Sequence, residues 1–170
     1  MRYDLSEIRE IIQSIYDQYN EYDPFILAEK MNIKLVETDL LEAQGFYFPD
    51  PNYEKKSKSI LLNENLSHYR KLLVFAHELG HAILHPEKDI AGLRQYTNAK
   101  TSHYEIEADF FAYELIFAQL QDEIYLQEII EDYELTGDEV WALENYYNES
   151  SKLYVEKNRI EDEDWYEGDW

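Results

Sequence analysis

The 170-residue sequence contains no cysteine, which excludes disulfide bonds and any metal site built on thiolates. Glycine and proline are also scarce, with five and four residues, and no linker rich in either divides the chain. No apolar stretch approaches the roughly 20 residues of a membrane-spanning helix. The N-terminus, MRYDLSEIRE, lacks the apolar core of a signal peptide. We therefore expect a soluble, cytoplasmic protein without a membrane partner.

Basic residues are few, since 15 Lys and Arg stand against 37 Asp and Glu, for a net charge of -22. A protein that binds nucleic acid needs Lys and Arg to displace counterions from phosphates, so direct nucleic-acid binding is not expected. This charge either attracts a basic partner over a long range or only keeps the chain soluble, and the sequence leaves both open.

Hydrophobic residues make up 45% of the chain, which is enough for a real core, and their spacing predicts helices around a few short strands. Asp23 and Ser67 are predicted to cap the second and third helices. Helices are predicted over 5–19, 24–31, 68–85, 104–118, 122–133 and 138–147, strands over 33–37, 45–48 and 59–63, a hairpin connection over 49–58 and a long loop over 87–102.

The sequence HELGH occupies residues 77–81, inside the third predicted helix. Four residues advance a helix by about 6 Å and little more than one turn, so His77 and His81 project from one face and can ligate the same Zn²⁺. Glu78 lies beside them, where it can act as general base toward a water whose pKa the zinc lowers.

A surface HExxH formed by chance is the alternative. Against it, the histidines adjoin the apolar stripe, and Gly80 costs about 1 kcal/mol relative to alanine in mid-helix, which indicates close approach of another segment or a ligand.

A catalytic zinc site normally has three protein ligands, and without cysteine the third must be His, Asp or Glu. One face of the fourth predicted helix carries Glu105, Ala108, Asp109 and Ala112. Because the two alanines allow close approach to the HELGH helix, we predict Glu105 as the third ligand. Asp109 is predicted to accept the second N–H of a ligating imidazole. Glu107 points about 160° away and is predicted to be a solvated or structural acid.

Weaker candidates surround this set. His85 lies one turn beyond His81, which places it too far along the helix axis for the same ion, so a packing or supporting role is expected. Several side chains are candidates for stabilising an oxyanion, and the sequence does not choose among them: Tyr96, His103, Tyr104 and Tyr113.

HELGH is followed by His85, by E-x-x-A-D-x-F-A over 105–112 and by Glu-Leu at 114–115. With the strand and turn before HELGH and the Asp23-Pro24 helix, this pattern resembles the ImmA/IrrE family of metallopeptidases over roughly residues 5–120. Members of the family often have a Leu-x-Pro segment after the helix that carries E-x-x-A-D-x-F-A, and this sequence departs from the family by lacking it. The resemblance implies a zincin-like, gluzincin-type zinc site with Glu105 as third ligand, in agreement with the helical-face argument.

We accordingly expect an α+β fold with a zincin-like metallopeptidase core and small twisted sheet over 1–120, a C-terminal helical segment over 121–160 and a mobile acidic, aromatic tail over 161–170. Zn²⁺ would be held by His77, His81 and Glu105, with Glu78 as the catalytic base. The resemblance further implies cleavage of a helix-turn-helix repressor encoded beside the peptidase on a phage or mobile element, which relieves repression.

Two other functions stay open. The protein could displace the repressor by binding without cutting, although such a role has no need of Glu78. It could also belong to a toxin–antitoxin or phage-defence pair in which partner binding controls activity.

Overall fold

The structure, a computed structural model, describes residues 3–49, 58–86, 103–119 and 126–163. The chain has the predicted α+β fold, and the first seven elements agree with the sequence-based bounds to within one residue at each end. The residues 50–57 and 87–102, predicted as connections, lie outside the described ranges. In chain order the elements are α1 (Leu5–Tyr19), α2 (Pro24–Lys30), β1 (Ile33–Thr38), β2 (Gly45–Phe48), β3 (Lys58–Asn63), α3 (His68–Leu84), α4 (His103–Gln119), α5 (Leu126–Asp132) and α6 (Gly137–Glu163).

Short polar side chains set where the first three helices begin. Asp4 and Glu7 form a capping box at α1, each side chain accepting the other residue's backbone N–H. Asp23 accepts two N–H groups of the first turn of α2. Ser67 caps α3, which ends at His85. These caps satisfy N–H groups that the first turn of a helix leaves without a helical partner, and they set the position of HELGH along α3.

The sheet has the strand order β1-β3-β2, so β3 is central. β1 runs parallel to β3, and β2 runs antiparallel to it. The antiparallel register, from Gly45 opposite Leu62 to Phe48 opposite Ser59, is the hairpin pairing that the sequence predicts. β2 is therefore an edge strand of the described sheet, and it lies against the HELGH helix at Gly45 and Tyr47.

The main hydrophobic core lies between the sheet and the first four helices. Phe25 of α2 stacks on Phe75 of α3 with ring centroids 4.4 Å apart. Because α3 is covered on several sides, even polar members of HELGH are buried. The largest buried side chains of this core are Ile8, Leu27, Tyr47, Ile60, Leu62, Phe75, Leu79, Phe111 and Leu115.

α4 packs directly against the HELGH helix. A Cβ added at Gly80 would lie 3.2 Å from the Cα and 3.3 Å from the carbonyl oxygen of Ala108, tighter than ordinary contact. Ala108 and Ala112 are fully buried. The close approach predicted from Gly80 and the two alanines is thereby confirmed, and it brings the acidic face of α4 beside the histidines.

The C-terminal helices are joined to this unit by a second apolar cluster and by an ion pair in which Arg70 is buried and Glu139 is partly exposed. Arg70 of α3 donates two hydrogen bonds to the Glu139 carboxylate, at 2.7 and 3.0 Å. Burial alone would raise the pKa of Glu139, but hydrogen bonds from Arg70 and the Thr136 N–H hold it below its usual value. Breaking such a pair from one side typically costs about 3–5 kcal/mol, so α6 is tied firmly to α3.

The last helix differs most from the sequence-based expectation. The helix predicted over 138–147 continues to Glu163, through the first three residues of the predicted tail over 161–170. No glycine or proline interrupts 138–163, and Lys, Glu and Leu favour helix there. Residues 164–170 and, before α5, residues 120–125 lie outside the described ranges. No described helix combines the length and apolar character needed to cross a membrane.

Candidate metal centre

Three side chains from two helices converge where α4 crosses α3. The Nε2 atoms of His77 and His81 are 3.1 Å apart. The Glu105 carboxylate oxygens lie 3.4 Å from Nε2 of His77 and 3.7 Å from Nε2 of His81. The structure thus brings together the three residues that the sequence singles out as metal ligands.

The spacing of these donor atoms fits a transition metal. Ligands held about 2.0–2.1 Å from one ion at tetrahedral angles lie roughly 3.3–3.4 Å from one another. The separations of 3.1, 3.4 and 3.7 Å bracket that value. Two imidazoles and one carboxylate also form a donor set used by catalytic metal sites that keep a fourth position open.

His77 is oriented by Asp109, one turn after Glu105 on α4. The Nδ1 of His77 lies 2.7 Å from Oδ1 of Asp109, which leaves Nε2 directed at the other donors. Burial by itself would lower the pKa of His77, but the carboxylates of Asp109 and Glu105 outweigh it and raise that pKa to about 10. In the metal-free protein the imidazole therefore holds a proton at neutral pH, which a metal must displace.

Glu78 faces the sheet, against β2. Its side chain is buried, and Oε2 accepts a 2.8 Å hydrogen bond from the backbone N–H of Tyr47 on β2. Tyr47 is absent from the sequence-based candidates, because an apolar strand carries no mark of a backbone contact made across the fold. The carboxylate is thus held between the helix that supplies two histidines and the edge of the sheet.

Glu107 and His85 form a separate buried contact. Glu107 is 3% exposed, which excludes the solvated role and supports the structural one. Its carboxylate accepts the N–H of Tyr3 at 3.1 Å and lies 3.5 Å from Nε2 of His85. Burial lowers the pKa of His85 to about 4, so this histidine is neutral. Both residues lie outside the cluster of His77, His81 and Glu105.

The structure shows the surroundings of three of the four residues that are candidates for stabilising an oxyanion, and it does not select one of them. The Tyr113 hydroxyl donates to the backbone oxygen of Glu139 at 2.9 Å, so it is engaged with α6. Tyr104 packs its ring against His85, with centroids 4.9 Å apart, and the ring of His103 lies tilted against that of Tyr104, with centroids 3.9 Å apart. Tyr96 lies outside the described residues.

His77, His81 and Glu105 form a cluster that could hold a metal ion, and sequence comparison gives the family. The profile of Peptidase_M78, described as the IrrE N-terminal-like domain, matches residues 28–156. This chain therefore belongs to that family, as the resemblance predicts. The match continues beyond residue 120 into α6, in line with the packing of α6 on the site helices.

Two relatives carry names that bear on function. The chain is 36% identical over 110 residues to uncharacterized immunity region protein 2 of Bacillus phage phi105, covering 64% of this chain and 67% of that protein. It is 28% identical over 111 residues to metallopeptidase ImmA of Bacillus subtilis (strain 168), covering 64% and 62%. The match thus spans less than two thirds of ImmA. No solved structure gives a significant match.

Proposed function

We propose that this protein is a zinc-dependent endopeptidase with a zincin-like core, in which His77, His81 and Glu105 hold Zn²⁺ and Glu78 is the general base. The observation that carries the proposal is the convergence of three donor side chains: the Nε2 atoms of His77 and His81 lie 3.1 Å apart, and the two carboxylate oxygens of Glu105 lie 3.4 Å from the first and 3.7 Å from the second. Asp109 supports this cluster by fixing the ring of His77. A site that only stabilised the fold would have no use for a buried glutamate between its two histidines.

The residues present divide the reaction between them. Zinc in such a site supplies Lewis acidity, since it lowers the pKa of a water to near 7 and polarises a carbonyl. Glu78 takes a proton from the attacking water and passes it to the nitrogen of the leaving amine, so one carboxylate serves as base and then as acid. The hydrogen bond from Tyr47 orients that carboxylate before substrate arrives.

The proposed substrate is a helix-turn-helix repressor of a phage or mobile element, whose cleavage relieves repression. One relative is named as a phage immunity region protein and another as the metallopeptidase ImmA. A DNA-binding repressor carries basic surface, and the net charge of -22 on this chain attracts such a partner over a long range. We place the protein in the cytoplasm, where such a repressor acts.

Cleavage can be tested on the repressor encoded beside the gene. The zinc-loaded protein is expected to convert that repressor into two fragments, identified by mass spectrometry. A chelator should stop the reaction, and added zinc should restore it. An unrelated helix-turn-helix protein of similar charge is the control and should stay intact. If the neighbouring repressor also stays intact while the zinc is bound, the proposed substrate is wrong.

Asp109→Asn is expected to change how zinc binding depends on protons. Below a His77 pKa of about 10, zinc competes with the proton on His77, so the zinc affinity of the wild type should fall about tenfold per unit decrease in pH. Asparagine removes the charge that contributes most to raising this pKa, so fewer protons should be released per zinc. It also orients the ring less well, which should weaken zinc binding by about 10–100-fold. Calorimetry in buffers of different ionisation enthalpy measures both effects, and unchanged proton release would contradict this account.

A further inference from the structure

Gly45, the first residue of β2, lies against the helix that carries Glu78. A Cβ added there would be 2.7 Å from Cγ1 of Val74, 3.3 Å from Cγ of Glu78 and 3.3 Å from the carbonyl oxygen of Leu61. Gly45 does not have a positive φ, so its backbone conformation is open to any residue. What this position requires is therefore space and not the conformational freedom of glycine.

The space matters because β2 and α3 meet at the general base. Val74 and Glu78 are four residues apart and share one face of α3, and this face lies against Gly45. Two residues along β2, the backbone N–H of Tyr47 donates to Glu78 at 2.8 Å. The size of the side chain at position 45 therefore affects the hydrogen bond from Tyr47 to Glu78, because any group that moves β2 away from α3 also lengthens this bond.

We propose that Gly45 is a positioning residue for the general base. Its missing side chain lets β2 seat on α3 closely enough for the Tyr47 N–H to hold the Glu78 carboxylate in one orientation. This role rests on the proposed peptidase function. The two glycines then serve different parts of the site. Gly80 allows α4 to bring Glu105 to the metal, whereas Gly45 serves the base alone.

Gly45→Ala tests this role. It is expected to lower kcat for an unstructured peptide by about 10–100-fold, since misplacing a reacting group by about 1 Å can cost 10²-fold. KM and zinc content should stay unchanged, because the three atoms nearest to the new methyl group belong to Val74, Glu78 and Leu61, none of which is a proposed metal ligand. Gly137→Ala is the matched control, since a Cβ at Gly137 meets nothing within 4 Å, and its kcat should equal that of the wild type. An unchanged kcat in Gly45→Ala would overturn the proposal.

A second substitution that restores kcat distinguishes crowding at this contact from a general disturbance of the fold. The closest atom to the new methyl group belongs to Val74, so adding Val74→Ala to Gly45→Ala creates room for it. The double variant should recover kcat to within about threefold of Val74→Ala alone, a coupling expected of residues in direct contact. A double variant as slow as Gly45→Ala would show that crowding at this contact is not the cause.

The amide of Tyr47 gives a readout that needs no catalysis. In ¹⁵N-labelled, zinc-loaded protein, the hydrogen bond to Glu78 should move the Tyr47 amide proton downfield and slow its exchange with solvent. Gly45→Ala should shift the resonance upfield and speed exchange, and the added Val74→Ala should reverse both changes. If the wild type cleaves no peptide, the peptidase proposal fails, whereas an unchanged Tyr47 amide in Gly45→Ala overturns the positioning role whatever the activity.

A further variant applies if Gly45→Ala does not fold. Replacing the amide linkage before Tyr47 by an ester deletes the N–H and adds no bulk. This change is expected to lower kcat about tenfold at unchanged zinc content and KM, close to the net worth of one hydrogen bond to a charged group. An ester variant with wild-type kcat would overturn the proposal.

Discussion

Replacing Glu78 by glutamine is expected to abolish peptide hydrolysis while zinc stays bound. Glutamine has nearly the same shape, and its amide oxygen can still accept the hydrogen bond that Tyr47 donates. It cannot take a proton from water, so kcat should fall by at least the roughly 10²-fold that a general base contributes. Hydrolysis of an unstructured peptide and zinc per chain, measured on the same preparation, test both halves of this expectation.

The same variant separates cleavage from sequestration. Glu78→Gln should bind the repressor with wild-type affinity, because the substitution is buried and leaves the surface unchanged. In cells it should fail to relieve repression, although it is present at the same level as the wild type. If Glu78→Gln relieved repression as well as the wild type does, the protein would act by holding the repressor, and the peptidase proposal would be wrong.

Removing a proposed ligand is expected to have the second large effect. The wild type should hold about one zinc per chain, and His77→Ala or His81→Ala should lose it, since two remaining donors do not make a stable site. Glu105→Gln should weaken zinc binding strongly, because an amide replaces the only negatively charged donor among the three proposed ligands. Zinc content after dialysis against a weak chelator, with thermal unfolding to verify the fold, gives the comparison.

Glu107→Gln is the matched control for Glu105→Gln. The two glutamates are two positions apart on α4, both are at most 9% exposed, and the substitution is the same. Glu107 accepts the N–H of Tyr3, and glutamine can accept it as well. Glu107→Gln should therefore keep the fold and its zinc. Equal metal loss from the two variants would contradict the assignment of Glu105 as a ligand.

Much of the metal centre could be read from the sequence, because helical spacing converts directly into geometry. Two histidines four positions apart must share a face of any regular helix. Likewise, Glu105 and Asp109 share a face with two alanines, and the glycine between the histidines indicates that something packs closely there. The structure places all of these side chains together, with Asp109 on His77 and Ala108 on Gly80.

The periodicity of the sequence does not predict several other features of the structure. The sequence does not decide whether Glu107 is solvated or structural, because its burial depends on the segment around Tyr3, more than 100 residues earlier in the chain. The sequence also predicts too short an α6, because a polar helix has no apolar stripe that would indicate its continuation. The ion pair of Arg70 with Glu139 joins residues 69 positions apart and leaves no pattern in the sequence.

The sequence by itself therefore determined which side chains can meet a metal, which acid lies beside them in the helix, and where α4 can come close. These are local properties, because i to i+4 neighbours are set by the helix alone. Only the tertiary structure decided that β2 seats on α3 at Gly45, that the backbone of Tyr47 holds Glu78, and that Glu107 is buried away from the metal centre. Such contacts join distant segments, and they depend on the exact distance between packed elements, which no spacing along one helix or strand encodes.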